Sequence, residues 1–278
     1  MTPRQRTIKD PVTIEGRGLQ TGSNTKLTLK GAPANSGINF IRADLPGKPL
    51  INIRSLSIEG RALKRRRTVI GSGEAQIQTT EHFLAALTGL GICNIVAEMC
   101  GRELPGLDGS ARDYVAALDR AEVIEQDAPA QKLVIEAPLW CGGKDSFLAV
   151  FPHSGLRISY FLSYPEPGIG DQFLSLEISG EVFRREIAPA RTFCTKREAL
   201  LLLALGYGRG ADHSNTLIMG KKGPFKNALR FSDEHVRHKM LDLMGDLSLA
   251  GMPLEGHVVA VKSGHTLNME LVKKLKKL

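Results

Sequence analysis

The 278-residue chain is poor in aromatics, at 5%, and has a single tryptophan. It has no zinc-finger spacing and no aromatic-studded basic motif of the kind that stacks on or reads nucleic acid. Its basic surplus, 37 Lys and Arg against 29 Asp and Glu, therefore does not by itself mark a nucleic-acid binder. Among the four cysteines, Cys93, Cys100, Cys141 and Cys194, there is no CxxC pair. That excludes a zinc ribbon and a disulfide scaffold, and four reduced, mostly buried thiols are expected. Long apolar runs are missing as well. The longest, Ala199 to Leu205, falls far short of the roughly 18 residues that cross a bilayer. Met1 to Asp10 is basic and polar, without the apolar centre of a signal peptide. A soluble, cytoplasmic protein is expected.

What is present is ordinary for a folded chain: 42% hydrophobic and 24% charged residues, with a net charge of +8. Such a surplus points to an anionic partner, whether a phosphorylated metabolite, an acidic membrane surface or nucleic acid. The length suits about two domains. Residues 1–125 carry short alternating stretches such as Thr25 to Lys30, then a helix entered at Thr79-Thr80 with Phe83, Leu84, Leu87 and Leu90 on one face. Gly89 and Gly91 end it, Ile92 to Met99 reads as a strand, and Ser110 can cap a second helix. Residues 126–131 are polar with a proline and read as a linker. Residues 132–278 carry strands at Lys132 to Trp140, Phe147 to Phe151 and Leu156 to Tyr164, and a helix at Lys196 to Leu205. A long helix follows from Ser232 to Ala250, then a strand at His257 to Lys262 and a closing helix from Leu267. Strands and helices without strict alternation give an α+β class.

Four local patterns could carry chemistry. His238 and Asp242 stand four apart, so a helix puts them on one face where they can grip a metal ion, and Asp246 extends that face by a turn. Alone, such a pair is more often a solvated stripe. Thr80-Glu81-His82 begins a helix, where neutral imidazole can ligate zinc and the neighbouring carboxylate can take a proton from water. His82, His238 and Asp242 together would make the three-ligand, open set typical of catalytic rather than structural zinc. His265, in Lys262-Ser263-Gly264-His265, follows a small, flexible pair at a strand end. A lone loop histidine is usually just exposed, but pairing with Asp246 would raise its pKa and keep it protonated as a general acid. Thr192, in Ala190-Arg191-Thr192-Phe193, could donate a hydroxyl to a developing oxyanion.

In combination the segments resemble one family. Phe231-x3-His235-Val-Arg-His238-Lys-Met-Leu-Asp242-x3-Asp246, with Thr80-Glu81-His82, Arg191-Thr192-Phe193, Lys262-Ser263-Gly264-His265, Asp108-Gly109-Ser110 and the loop Ala32 to Gly37, is similar to the zinc-dependent UDP-3-O-acyl-N-acetylglucosamine deacetylases. These enzymes carry out the committed step of lipid A synthesis. The resemblance runs from Gln5 to the last helix. It implies two related lobes, each layering a sheet with helices in a β-α-α-β sandwich, with the active site at their interface. It implies Zn2+ on His82, His238 and Asp242, a set that iron(II) also fits. It further implies Glu81 as general base, His265 held by Asp246 as acid, and Thr192 at the oxyanion. Lys239 and Lys262 are then expected at the substrate diphosphate, Phe193 at the sugar and Tyr160 at the uracil. An insert at about 194–218, β-α-β in form, is expected to line a passage for the acyl chain, with Ala199 to Leu205 as its apolar wall.

The chain departs from the family pattern where Gln20 replaces a histidine and at Gly210 to Asn215. The small-molecule substrate accounts for the positive charge without nucleic acid, and a monomer is expected. The basic end, Lys273 to Leu278, allows at most a transient contact with an anionic inner-membrane surface. Two rival readings are a deacetylase of another acetylated sugar and a catalytically silent sugar-nucleotide binder.

Overall fold

The computed structural model describes residues 3–56 and 67–278. The basic run Lys64 to Arg67 therefore falls outside the described residues except for Arg67.

The described chain is a mixed α+β structure with six helices and several sheets. The alternation in the N-terminal half yields a five-stranded sheet ordered Val12–Arg17, Asn24–Gly31, Ile95–Cys100, Ile38–Arg42 and Leu50–Asn52. On Asn24–Gly31 the side chains of Leu27 and Leu29 turn inward and are fully buried while their neighbours face out, as a period of two requires. In the C-terminal half, Leu139–Gly142, Phe147–Phe151, Leu254–Val261, Leu156–Ser163 and Asp171–Ile178 pair in that order, and Leu133–Val134 also pairs with Leu254–Val261.

Helix α1 (Glu81–Leu90) buries nine of its ten residues. Phe83 on it meets Phe40 of the first sheet edge-on, with ring centroids 5.9 Å apart. The helix stops at Gly91, whose left-handed backbone (φ 69°) returns its N–H to the Leu87 and Thr88 carbonyls. Helix α2 (Arg112–Arg120) packs beside α1, and Ser110 Oγ accepts from the Arg112 N–H at its start. A single turn, α3 (Gly180–Val182), precedes the insert helix α4 (Lys196–Ala204). The long helix α5 (Glu234–Leu247) lies against α1, against Leu156–Ser163 of the second sheet, and against the closing helix α6 (His265–Leu275). The approach of α1 to α5 depends on Gly245: a Cβ there would sit 2.0 Å from the Glu81 carbonyl oxygen.

Several expectations need correction. Residues 126–129 are not a free linker, because Val123–Pro129 pairs antiparallel with Arg4–Ile8 and Gln126 bonds the Ala32 carbonyl and Asn94. The Lys132 to Trp140 stretch breaks into two short strands, on either side of Pro138. The strand Asp171–Ile178 had no clear alternation and was not anticipated. Only Cys141 and Cys194 are buried; Cys93 is half-buried and Cys100 exposed, and none of the four is in a disulfide. The closing helix starts at His265, not Leu267.

Candidate active site

The start of α1 and the middle of α5 face each other, and this contact brings together residues more than 150 positions apart. Thr80 supplies its carbonyl to the Leu84 N–H, and its hydroxyl makes no cap. That start places Glu81 and His82, 3% and 4% exposed, against α5. On α5, His238 and Asp242 share a face one turn apart. The His238 and Asp242 side chains approach to 3.4 Å (Nε2 to Oδ1), and His82 Nε2 lies 3.7 Å from the same oxygen. Donors bound to zinc at about 2.0–2.1 Å in a tetrahedron stand roughly 3.3 Å apart, so the spacing fits. The second oxygen of Asp242 is 2.5 Å from Lys239 Nζ, which leaves Oδ1 for a cation. His238 Nδ1 lies 3.0 Å from the Ala190 carbonyl, so its proton belongs on Nδ1 and Nε2 is free to ligate.

The electrostatics match the donor chemistry. Burial, reinforced by His238, pushes His82 down to about 3, and burial also lowers His238, so both rings stay neutral. Burial works against the charge on Asp242, but Lys239 and the imidazoles outweigh it and hold its carboxyl below the usual carboxylate range. Burial likewise opposes the Lys239 ammonium, yet the Asp242 charge raises its pKa above the ordinary value. His82, His238 and Asp242 thus form a metal-capable cluster of buried N,N,O donors.

An acid-base pair adjoins it. Glu81 is pushed up to about 8 by burial. His265 Nδ1 lies 2.8 Å from Asp246 Oδ2, and that partner overcomes the burial penalty and lifts His265 to about 9. Asp246 also accepts from Asn268 Nδ2 at 2.7 Å and from the Thr68 hydroxyl, while the Thr68 N–H donates to Glu81 Oε2 at 3.1 Å. Thr68 thereby touches both the acidic and the basic arm. Neither Thr68 nor Asn268 carries a sequence motif. Asn268 stands one turn after His265 and would have been visible had the helix start been placed at His265.

The cluster opens into a cleft of about 820 Å³ whose lining includes Gln20, Thr192, Phe193, Lys239 and Lys262. Phe193 meets His235 edge-on at 4.8 Å. Tyr160 is different. It is 1% exposed within the core and its hydroxyl donates to the Ser263 carbonyl at 2.5 Å, so the ring offers no stacking face to a ligand. Tyr160 supports the turn that leads to His265, and the expectation of substrate contact is withdrawn. Arg191 does not face the cleft either; it is paired with buried Glu234 through Nε and Nη2 at 2.9 and 3.1 Å, anchoring the segment that carries Thr192.

Two imidazoles and a carboxylate converging beside a buried carboxyl and a carboxylate-held imidazole are the parts of a metal-dependent hydrolase. Comparison with known proteins narrows the class. A protein-family model described as UDP-3-O-acyl N-acetylglycosamine deacetylase matches residues 5–277. Proteins named UDP-3-O-acyl-N-acetylglucosamine deacetylase align along nearly the whole chain. The one from Bdellovibrio bacteriovorus is 36% identical over 98% of this chain and 89% of its own length. Those from Chlamydia caviae and Chlamydia pneumoniae are 39% and 40% identical, over 98% of this chain and 96% of theirs. The chain belongs to the UDP-3-O-acyl-N-acetylglucosamine deacetylase family.

Proposed function

We propose that this protein hydrolyses the acetamide of UDP-3-O-acyl-N-acetylglucosamine, releasing acetate and the free amine, at the committed step of lipid A biosynthesis. The supporting observation is the convergence of His82, His238 and Asp242 with Glu81 and the Asp246-held His265 at one cleft. When bound to those three donors, zinc supplies Lewis acidity that activates water near neutral pH and draws charge from a carbonyl oxygen. Glu81 takes the proton from the attacking water; burial makes its carboxylate a far stronger base than a surface glutamate. The Thr192 hydroxyl donates to the amide oxygen as negative charge grows there. His265, kept protonated by Asp246, delivers a proton to the nitrogen so that it departs as an amine. Lys239 and Lys262 meet the diphosphate, and Phe193 packs on the sugar.

The packing supports a two-lobe reading, with residues 1–125 giving Glu81 and His82 and residues 132–278 giving His238, Asp242 and His265. Each lobe sets one helix layer on its sheet, and the α1–α5 contact forms the seam. The insert at about 194–218 then walls the acyl chain: Phe193–Thr195, α4 and Leu217–Gly220 make a β-α-β unit whose strands run parallel. A nucleotide-sugar substrate goes with a cytoplasmic site, and a monomer suffices to complete the cleft.

The deciding assay is acetate release from UDP-3-O-acyl-N-acetylglucosamine. Release that stops on chelation and returns with zinc establishes the reaction. Equal release from the analogue without the acyl chain would favour a different acetylated sugar, and no release from folded, zinc-loaded protein would leave a silent binder.

A further inference from the structure

The helix α4 has no buried residue. Leu200, Leu201, Leu203 and Leu205 are 71%, 59%, 56% and 63% exposed, which leaves Ala199 and Leu202 on the half-buried side. Leu200, Leu203 and Ala204 follow helical spacing on the outward face, and Lys196 and Arg197 stand on it one turn earlier. Lys196 Nζ lies 4.2 Å from the centroid of the exposed Phe225 ring. That contact brings the Lys221-Lys222 turn and Lys226 beside the start of the helix.

Residues 196–226 hold six basic and two acidic side chains; six minus two is +4, half the net charge of +8 in about a tenth of the chain. Both acids are occupied locally. Glu198 closes the capping box with Thr195 and accepts from Tyr164, and Asp212 accepts from Ser214. The six cations make no ion pair among the described residues. The basic C-terminus is a weaker candidate, because Lys274 and Lys276 are spent on the Trp140, Ile53 and Arg54 carbonyls.

A leucine face with cations that make no ion pair gathered at its start is the pattern of an element that lies in a lipid interface. We propose that α4 and the Lys221-Lys222 turn dock the protein on an anionic phospholipid bilayer, with the leucines in the acyl boundary and the lysines on the headgroups. The chain runs from Phe193 in the cleft directly through Phe193–Thr195 into α4. If the deacetylase reading holds, docking through α4 would hold the cleft close to a bilayer that supplies or receives an acylated molecule.

The test is flotation of the full chain with vesicles of phosphatidylcholine alone or mixed with phosphatidylglycerol. Binding is expected to the anionic vesicles only, and to fall away at about 1 M salt, where screening shortens to about 3 Å. Replacing Leu200, Leu203 and Leu205 by Gln should weaken it about thirtyfold or more. K221E/K222E should weaken it about tenfold or more, with thermal unfolding unchanged in both. Absence of binding, or binding indifferent to lipid charge and to both variants, overturns the proposal. So does a dimer in solution that dissociates in the leucine variant, which would assign the face to a second copy. Flotation reads docking independently of acetate release, so either reading can fail without the other.

Discussion

Replacing Asp246 by Asn tests the acid arm most directly. Asp246 is fully buried and receives His265 Nδ1, Asn268 Nδ2 and the Thr68 hydroxyl. The substitution keeps the shape and removes the charge. His265 stands at about 9 against an ordinary 6.5, so Asp246 and its neighbours favour the imidazolium by about 3 kcal/mol. Without that charge, burial is opposed only by Asp242 and Glu81, and the His265 pKa falls back toward the ordinary 6.5. A fall all the way to 6.5 would take the protonated fraction at pH 8 from about 90% to about 3%, roughly thirtyfold. The sign follows from the role. An acid must carry its proton, so activity through His265 is lost as pH rises through the folded pKa. The associated stability is fully present below about 6.5 and fades as pH climbs through about 9. Two measurements apply: the NMR titration of the His265 ring in metal-free protein, and acetate-release kcat/KM against pH in zinc-loaded protein. Asp246→Asn should move the titration midpoint and the alkaline limb down by about two units. A midpoint that stays within half a unit would refute Asp246 as the source of the charge on His265.

Glu81→Gln should lower kcat by about 10²–10⁴ with little change in KM, measured by acetate release at saturating substrate, since it removes the proposed proton acceptor and leaves the three donors in place. His238→Ala should drop bound zinc well below one per chain by elemental analysis after dialysis, because it removes one of the three donors of the proposed zinc site. Gly245→Ala should cost about 1–3 kcal/mol in denaturant unfolding and reduce activity with it, as the new methyl forces the start of α1 off α5. Glu234→Ala should destabilise by about 3–5 kcal/mol, since it leaves the buried Arg191 guanidinium without its partner.

Much of this protein follows from local pattern. Helical spacing at Phe83, Leu84, Leu87 and Leu90 specifies α1, and Gly91 ends it, because those signals act within a few residues. His238 and Asp242 four apart are on one face in any helix, so two of the three donors of the candidate metal cluster were legible in the chain order. The register of Arg4–Ile8 with Val123–Pro129 was not legible, since it joins segments more than a hundred residues apart through a polar stretch that looks like a linker.

The fate of individual side chains was decided by packing. Tyr160 went into the core while Phe193 lines the cleft, although both are aromatics at strand positions. Leu200, Leu201 and Leu203 of α4 stayed exposed, although so continuous an apolar run would be expected to be covered. Thr68 reached both Glu81 and Asp246 only because the α1–α5 contact brings the N-terminal half onto α5. Sequence by itself determined the main helices, the family and the residue types able to ligate and to move protons, because periodicity and motif spacing are local properties. Only the tertiary structure decided which of them meet. Distance between the ends of a long chain segment is set by how two apolar faces bury one another, and no local pattern encodes that.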